Sequence, residues 1–268
     1  MTGQTPAPRL KKVTAFVGTA SKKHTLYAVR QFLSGLESQG DVESEVVVLS
    51  DYRLEACRGC KVCFAKGEEF CPLKDDRDVL IEKMMMSDGV VFATPNYSFQ
   101  VSGIMKVFLD RLGCMFHRPR FFGKTFTSIV VQGFYGGPKI LKYLDFVAQG
   151  LGFRVTKGSC VTALDPMTEK AKQRAEAVLK AHSRRFIDRL SQPPYPSPPL
   201  VMLMVFRMGR SSILRELDET ARDYTYWRDK GWFESDYFYP VRLNVFQKAA
   251  GGLLDYVLAR RAKPQPRP

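Results

Sequence analysis

Five times in the first 190 residues a short run of β-forming apolar residues gives way to a segment with helical spacing. The runs are residues 13–17, 45–49, 89–93, 125–131 and 153–161. The first helical segment carries Leu26, Val29, Phe32, Leu33 and Leu36, three and four apart, and stops at Gly40. Asp75 and Asp76 open a second helix, Ser102 caps a third, Pro138 starts a fourth, and Asp165-Pro166 opens a fifth that ends near Leu190. Such alternation predicts an α/β fold: five parallel strands, doubly wound with helices on both faces. Crossovers of this length are expected to be right-handed. Ligands of such sheets sit beyond the carboxyl ends of the strands, at the point where strand order reverses. Three loops fall there, at 18–25, 94–102 and 132–138.

The pattern stops at a proline-rich stretch, 191–199, which reads as an extended linker. The expected organisation is therefore a sheet domain over 1–190, a linker over 191–199 and a helical extension over 200–268. The extension holds both tryptophans, Trp227 and Trp232, among many tyrosines and phenylalanines. Aromatic area of that density must be buried, and docking on a second copy of the chain, as a homodimer or larger, is the expectation. Its apolar run at 200–206 is too short to cross a bilayer, and contact with a membrane surface is not expected. Residues 1–12 lack the apolar stretch of an export signal, so a cytoplasmic protein is expected. The net charge of +14 comes without a recognised nucleic-acid module; the excess is spread along the chain, and much of it lies on the predicted helix over 170–189. A solvated basic face accounts for it, and no nucleic-acid partner is expected.

The first loop is a strand, a turn of small residues and a helix start, with hydroxyls on Ser21 and Thr25 and charge on Lys22, Lys23 and His24. Helix amides and dipole favour an anion there, although neither a dinucleotide fingerprint nor a P-loop is present. The second loop offers Tyr97 and Phe99, and the third offers Phe134 and Tyr135 between glycines. Aromatic faces beside exposed amides suit a flat ligand with a polar edge. Together the loops point to a planar phosphorylated ligand. Four cysteines, Cys57, Cys60, Cys63 and Cys71, fall within fifteen residues. Without an export signal, clustered cysteines indicate metal or redox chemistry ahead of disulfides. Cys114 and Cys160 stand alone in apolar surroundings and read as buried small hydrophobes.

Gly59-Cys60-Lys61-Val62-Cys63, Cys71-Pro72-Leu73-Lys74-Asp75-Asp76, Thr94-Pro95-Asn96-Tyr97 and the stretch from Ser102-Gly103 through Lys106 to Asp110-Arg111 resemble one family. It is the NAD(P)H-dependent FMN reductases of the flavodoxin-like superfamily, and the cysteines resemble its iron–sulfur flavoprotein branch. The resemblance spans roughly residues 10–190. It implies a flavodoxin-like sheet that binds FMN, takes hydride from NAD(P)H and passes electrons to an acceptor it does not identify. It would place the FMN phosphate on Ser21, Lys22 and Thr25. The flavin ring would lie against Pro95, Asn96, Tyr97 and Ser98, with Gly133, Phe134 and Gly136 closing the other side. No side chain is required as catalytic acid or base, because the cofactor carries the hydride chemistry. A non-enzymatic flavin or iron–sulfur electron carrier, or a redox sensor, is the rival reading. The C-x2-C-x2-C-x7-C spacing allows the fourth thiolate to return to the same [4Fe–4S] cluster. Zinc and free thiols remain open beside the cluster on spacing alone. Lys106, Asp110 and Arg111 read as partners in ion pairs rather than as catalytic groups.

Overall fold

The computed structural model describes residues 10–21 and 23–261. They divide into two compact units. One combines the chain up to Arg58 with Leu73–Pro194, and the other combines Gly59–Pro72 with the chain from Tyr195.

The first unit is a parallel sheet ordered β2 (Val42–Val48), β1 (Lys11–Val17), β3 (Gly89–Pro95), β4 (Thr125–Gln132), with β5 (Arg154–Val155) and β6 (Ser159–Thr162) sharing the far edge. This is the flavodoxin-like order, with its switch point between β1 and β3. The helices are α1 (His24–Glu37), α3 (Arg77–Met86), α4 (Gly103–Arg111), α5 (Gly137–Leu151) and α6 (Glu169–Leu190). β5 and β6 are two halves of the fifth strand that the sequence pattern drew as continuous. Thr125 faces Arg154, but Ile129 faces Ser159, so one extra residue enters the edge strand. Gly158 lies in this bulge, and a Cβ on it would stand 2.4 Å from the Ser128 carbonyl oxygen.

Alternation along the strands sends side chains to two cores. Val13, Ala15, Val17, Val91, Ala93, Ile129 and Val131 share one core with Phe32 and Leu36 of α1 and Leu179 and Phe186 of α6. The intervening Phe16, Phe92 and Phe126 face the other way. There Phe16 stacks on Phe108 of α4 at 5.6 Å, and Phe92 meets Phe126 edge-on at 5.0 Å. His182 of α6 is wholly buried, with Nε2 2.6 Å from Thr127 Oγ1, and burial pushes its pKa down to about 3. It packs as a neutral ring, 4.6 Å from Phe32. Ser102 caps α4 as expected, its Oγ accepting from Met105 N at 3.2 Å. Two other starts differ from the sequence reading. Thr168, not Asp165, caps α6, and Asp76 stands at the start of α3 without a side-chain cap. Cys114 is buried as expected, whereas Cys160 is only half-buried.

The second unit holds α7 (Leu200–Glu216), α8 (Arg222–Asp229) and α9 (Val245–Arg261), together with the one-turn α2 (Val62–Ala65). Its core is aromatic. Phe206 stacks on Trp227 at 5.6 Å, Trp227 meets Trp232 at 5.1 Å, and Trp232 meets Phe238 at 4.8 Å. Trp232 Nε1 donates to the Phe238 carbonyl at 3.1 Å, so its one polar atom is paired. Both tryptophans are buried within this unit. The end of the proline stretch is also held here. Tyr239 Oη donates to the Pro196 carbonyl at 2.9 Å, and Gln247 Nε2 donates to that of Pro198 at 2.9 Å.

Gly158→Ala is expected to lower stability by about 1–3 kcal/mol through overpacking against backbone that cannot move aside. Gly40→Ala, where the nearest side-chain atom would be 3.8 Å away, is the control and should change little. Urea denaturation of the two variants reads the difference.

Candidate functional site

The three loops meet at the carboxyl edge of β1, β3 and β4 and are bonded to one another. Gly18 N donates to the Ala93 carbonyl at 2.8 Å, and the Gly18 carbonyl accepts from Ser102 Oγ. Thr94 Oγ1 accepts from Ser102 N at 3.0 Å. Asn96 N donates to the Val131 carbonyl at 2.7 Å, and Asn96 Nδ2 to that of Tyr135 at 2.8 Å. Gly18 is glycine for a steric reason: a Cβ would lie 2.6 Å from Met105 Cβ and 3.1 Å from Ser102 Oγ.

In the first loop Ser21 is exposed, Thr25 is buried in the first turn of α1, and Lys22 lies outside the described residues. Lys23, at the cap position of α1, makes no side-chain cap hydrogen bond. Lys23 instead pairs with Asp165 at 3.3 Å. His24 Nε2 is buried with no hydrogen-bond partner among the described residues.

The second loop folds into a two-residue turn. Tyr97 and Gln100 exchange backbone hydrogen bonds at 3.1 and 2.9 Å, and Ser98 and Phe99 both take positive φ, 50° and 62°. This turn normally carries Asn-Gly. Two side-chain-bearing residues there store strain of order 1 kcal/mol or more each, the kind that recurs at binding sites. Phe99 is held by its ring, 5.0 Å from Tyr135 and against the left-handed Gly136, where a Cβ would approach it to 3.0 Å. Pro95 is buried and Asn96 half-buried, with Asn96 Oδ1 buried and unpartnered. Tyr97, Phe99, Phe134 and Tyr135 are all more than half exposed. Gly133 is exposed and Gly136 half-buried. Gln132 opens the third loop. Its Oε1 accepts from Gly137 N at 2.8 Å and so anchors the start of α5 below the third loop.

The cysteine segment leaves the sheet unit through a clasped stem. Arg53 N donates to Asp76 Oδ2 at 2.7 Å, and Asp76 N returns a bond to the Arg53 carbonyl at 3.0 Å. Glu55 N donates to Asp75 Oδ2 at 2.9 Å. Arg111, at the far end of α4, closes the clasp: its guanidinium grips both Asp75 oxygens, with Nη2–Oδ1 at 3.0 Å, and Nη1 donates to the Glu55 carbonyl at 3.0 Å. Both side chains are essentially fully buried, at 2% and 0% exposure. Burial opposes charge on Asp75, but the Arg111 bonds and two backbone amides outweigh it and hold the carboxyl below the ordinary aspartate value. Lys106 and Asp110 form the expected pair along one helix. Beyond the stem, Cys57 and Cys60 are exposed and Cys63 and Cys71 half-buried. Cys57 belongs to the sheet unit and the other three to the helical unit. Among the described residues no three His, Cys, Asp or Glu side chains are grouped as a metal ion would need. Among those residues, too, no helix is long and apolar enough to cross a membrane.

A flavodoxin-like sheet with an uncapped helix start beside two aromatic loops at its carboxyl edge is consistent with a flavin-dependent redox protein. Comparison with known proteins narrows this. Residues 11–164 match the model of the NADPH-dependent FMN reductase family. An iron-sulfur flavoprotein of Archaeoglobus fulgidus is 30% identical over 210 residues, covering 75% of this chain and 89% of that protein. The chain belongs to the NADPH-dependent FMN reductase family, and is an NAD(P)H-dependent FMN oxidoreductase. Solved structures agree on the fold. RosB, with a bound riboflavin-phosphate intermediate, is 17% identical with a TM-score of 0.54 over 88% of this chain and 92% of its own. An NAD(P)H:quinone oxidoreductase from Methanothermobacter marburgensis is 16% identical with a TM-score of 0.52, covering 66% and 98%.

Arg111→Met would leave Asp75 a buried, unpaired charge, and a loss of about 3–5 kcal/mol is expected. Lys106→Met, on an exposed pair, should cost under about 1 kcal/mol. Because the Asp75 carboxyl titrates below its ordinary value of 3.8, the wild-type pair contributes fully above that pH and is lost as pH falls below it. Denaturation from pH 7 to 3 should show the wild-type contribution of the pair falling only at the acid end.

Proposed function

We propose that FMN lies across the three loops, with its phosphate at the amino end of α1 by Ser21, Lys22 and Thr25. Its ring would rest on Pro95, Asn96, Tyr97 and Ser98, with Gly133, Phe134 and Gly136 opposite. The observation that carries this reading is the pairing of an uncapped helix start with two bonded, aromatic-bearing loops on one sheet edge. Two buried atoms with no hydrogen-bond partner among the described residues, His24 Nε2 and Asn96 Oδ1, fit a ligand with phosphate oxygens at one end and ring N–H at the other. When bound, FMN supplies acceptance of a hydride from NAD(P)H and delivery of its electrons onward. The chain's own part is to orient two flat rings, exclude water with exposed aromatics, and offer amides to charge on the ring. Cytoplasmic action and a homodimer covering outward apolar groups such as Phe246 and Leu253 complete the reading.

Cys57, Cys60, Cys63 and Cys71 are proposed as the ligands of a [4Fe–4S] cluster. Four thiolates suit that metal chemically. The described arrangement does not gather them, so the loop would have to close on the cluster, and no electron step is assigned to it.

Tyr97→Ala should weaken FMN binding about tenfold in calorimetry, roughly 1.4 kcal/mol, while Lys11→Ala leaves it unchanged. A wild-type protein that binds no FMN ends the site assignment. Stopped-flow oxidation of NAD(P)H with a small quinone should turn over many times per second, whereas a mere carrier would stall after one equivalent. For the cysteines, anaerobic protein is expected to hold four irons per chain and Cys60→Ala none. Iron-free wild type with four alkylatable thiols rules the cluster out.

A further inference from the structure

The cysteine loop does not fold as an appendage of the sheet. Residues Gly59–Pro72 belong to the same compact unit as the chain from Tyr195 onward, and the stem on either side of them belongs to the other. Within the helical unit, α2, which carries Cys63, packs against α8. The loop takes a definite path there. Gly59, Lys61 and Gly67 adopt positive φ of 65°, 59° and 129°, and Gly67 is buried. Val62, Cys63 and Phe64 are half-buried, as is Cys71 at the end of the loop. α8 sits in the aromatic core through Trp227, which is 3% exposed. That core is braced by Arg207, which bonds Asp236 at 2.8 Å and Asp255, while Arg210 bonds Asp255 at 2.8 Å.

We infer that the helical extension is the seat of the cysteine loop: its folding holds residues 59–72 in place and sets how far Cys63 and Cys71 are open to solvent. The inference deepens the cysteine reading above, giving those thiols a support, but the seating itself requires no metal. It assigns a role to a part of the chain that lies beyond the matched family region, which ends at residue 164.

The chain carries its own reporters. Both tryptophans lie in the extension. Cys63 and Cys71 report the loop, exposed Cys57 and Cys60 set the unprotected rate, and Cys114, 3% exposed in the sheet unit, reports global opening. The experiment is pulsed alkylation of the full-length, FMN-loaded, iron-free protein with iodoacetamide, read cysteine by cysteine by mass spectrometry, with tryptophan emission followed in parallel. Arg207→Met strips the brace from the two aspartates. Gly251→Leu attacks the same point independently, because a Cβ on Gly251 would stand 2.6 Å from Arg207 Nε. In whichever variant red-shifts the tryptophan emission, Cys63 and Cys71 should alkylate at least about tenfold faster, approaching Cys60, while Cys114 stays protected. The inference is overturned if the emission shifts and the two thiols keep wild-type rates. It is equally overturned if their protection follows Cys114 along a urea series while the tryptophan transition moves away. Absence of iron from the native protein would remove the cluster and leave this result standing.

Discussion

A guanidinium gripping a carboxylate out of contact with water is costly to assemble and costlier to break, and the Arg111–Asp75 pair sets the geometry of the sheet unit around it. Asp75 receives Arg111, the amide of Glu55 and the amide of Arg77, so one carboxylate fixes the outgoing chain, the returning chain and the start of α3. Arg111 in turn ends α4, whose first residue follows Ser102. Nine helical residues span about 13 Å. The stem of the cysteine loop is thus tied to one end of the helix whose other end is tied to the loop after β1 through the Gly18 carbonyl.

At the other end of α4 the constraint is backbone conformation. The turn at Tyr97–Gln100 places Ser98 and Phe99 in left-handed geometry that glycine would adopt freely. What offsets the strain is contact: Phe99 lies against Gly136 and Tyr135, and Gly136 must itself be left-handed and bare for that ring to fit. Two loops from different strands therefore specify each other. Loops that specify each other in this way are stiff, and stiffness lowers the entropic cost of any binding they support.

Much of this was legible in the sequence because it depends on local spacing. The alternation of Val13, Ala15 and Val17 with Phe16, and the helical spacing of Phe32 and Leu36, report which face meets which core. The three loops at the carboxyl edge follow once strand order is granted. What was not legible depends on partners far away in the chain. Asp75 and Asp76 look like a helix cap, yet the bonds that matter to them come from Arg111 and Arg53. Gly158 looks like any turn glycine until Ser128 is known to lie across from it. Asp165-Pro166 and Thr168 offer competing starts for α6, and only the Ala171 amide, 3.2 Å from Thr168 Oγ1, decides between them. The four cysteines were visible as a cluster in sequence, but that they part between two folding units was not, since spacing says nothing about which core receives a loop.

The helical unit shows why such a small assembly carries buried charge. α7 is apolar on more than one side, with Leu203 and Phe206 buried and Val201, Val205 and Met208 exposed. α9 likewise shows Phe246, Leu253 and Tyr256 to the outside. Apolar packing alone would let two such helices meet in several registers of similar energy. Arg207 removes that freedom. Its guanidinium must meet Asp255, and it occupies the space a side chain at Gly251 would need, so α9 can approach α7 closely at one register. An apolar substitute for the ion pair would often be no less stable. What the pair contributes is a single arrangement of helices, and with it a single position for α8, against which the cysteine-bearing turn packs.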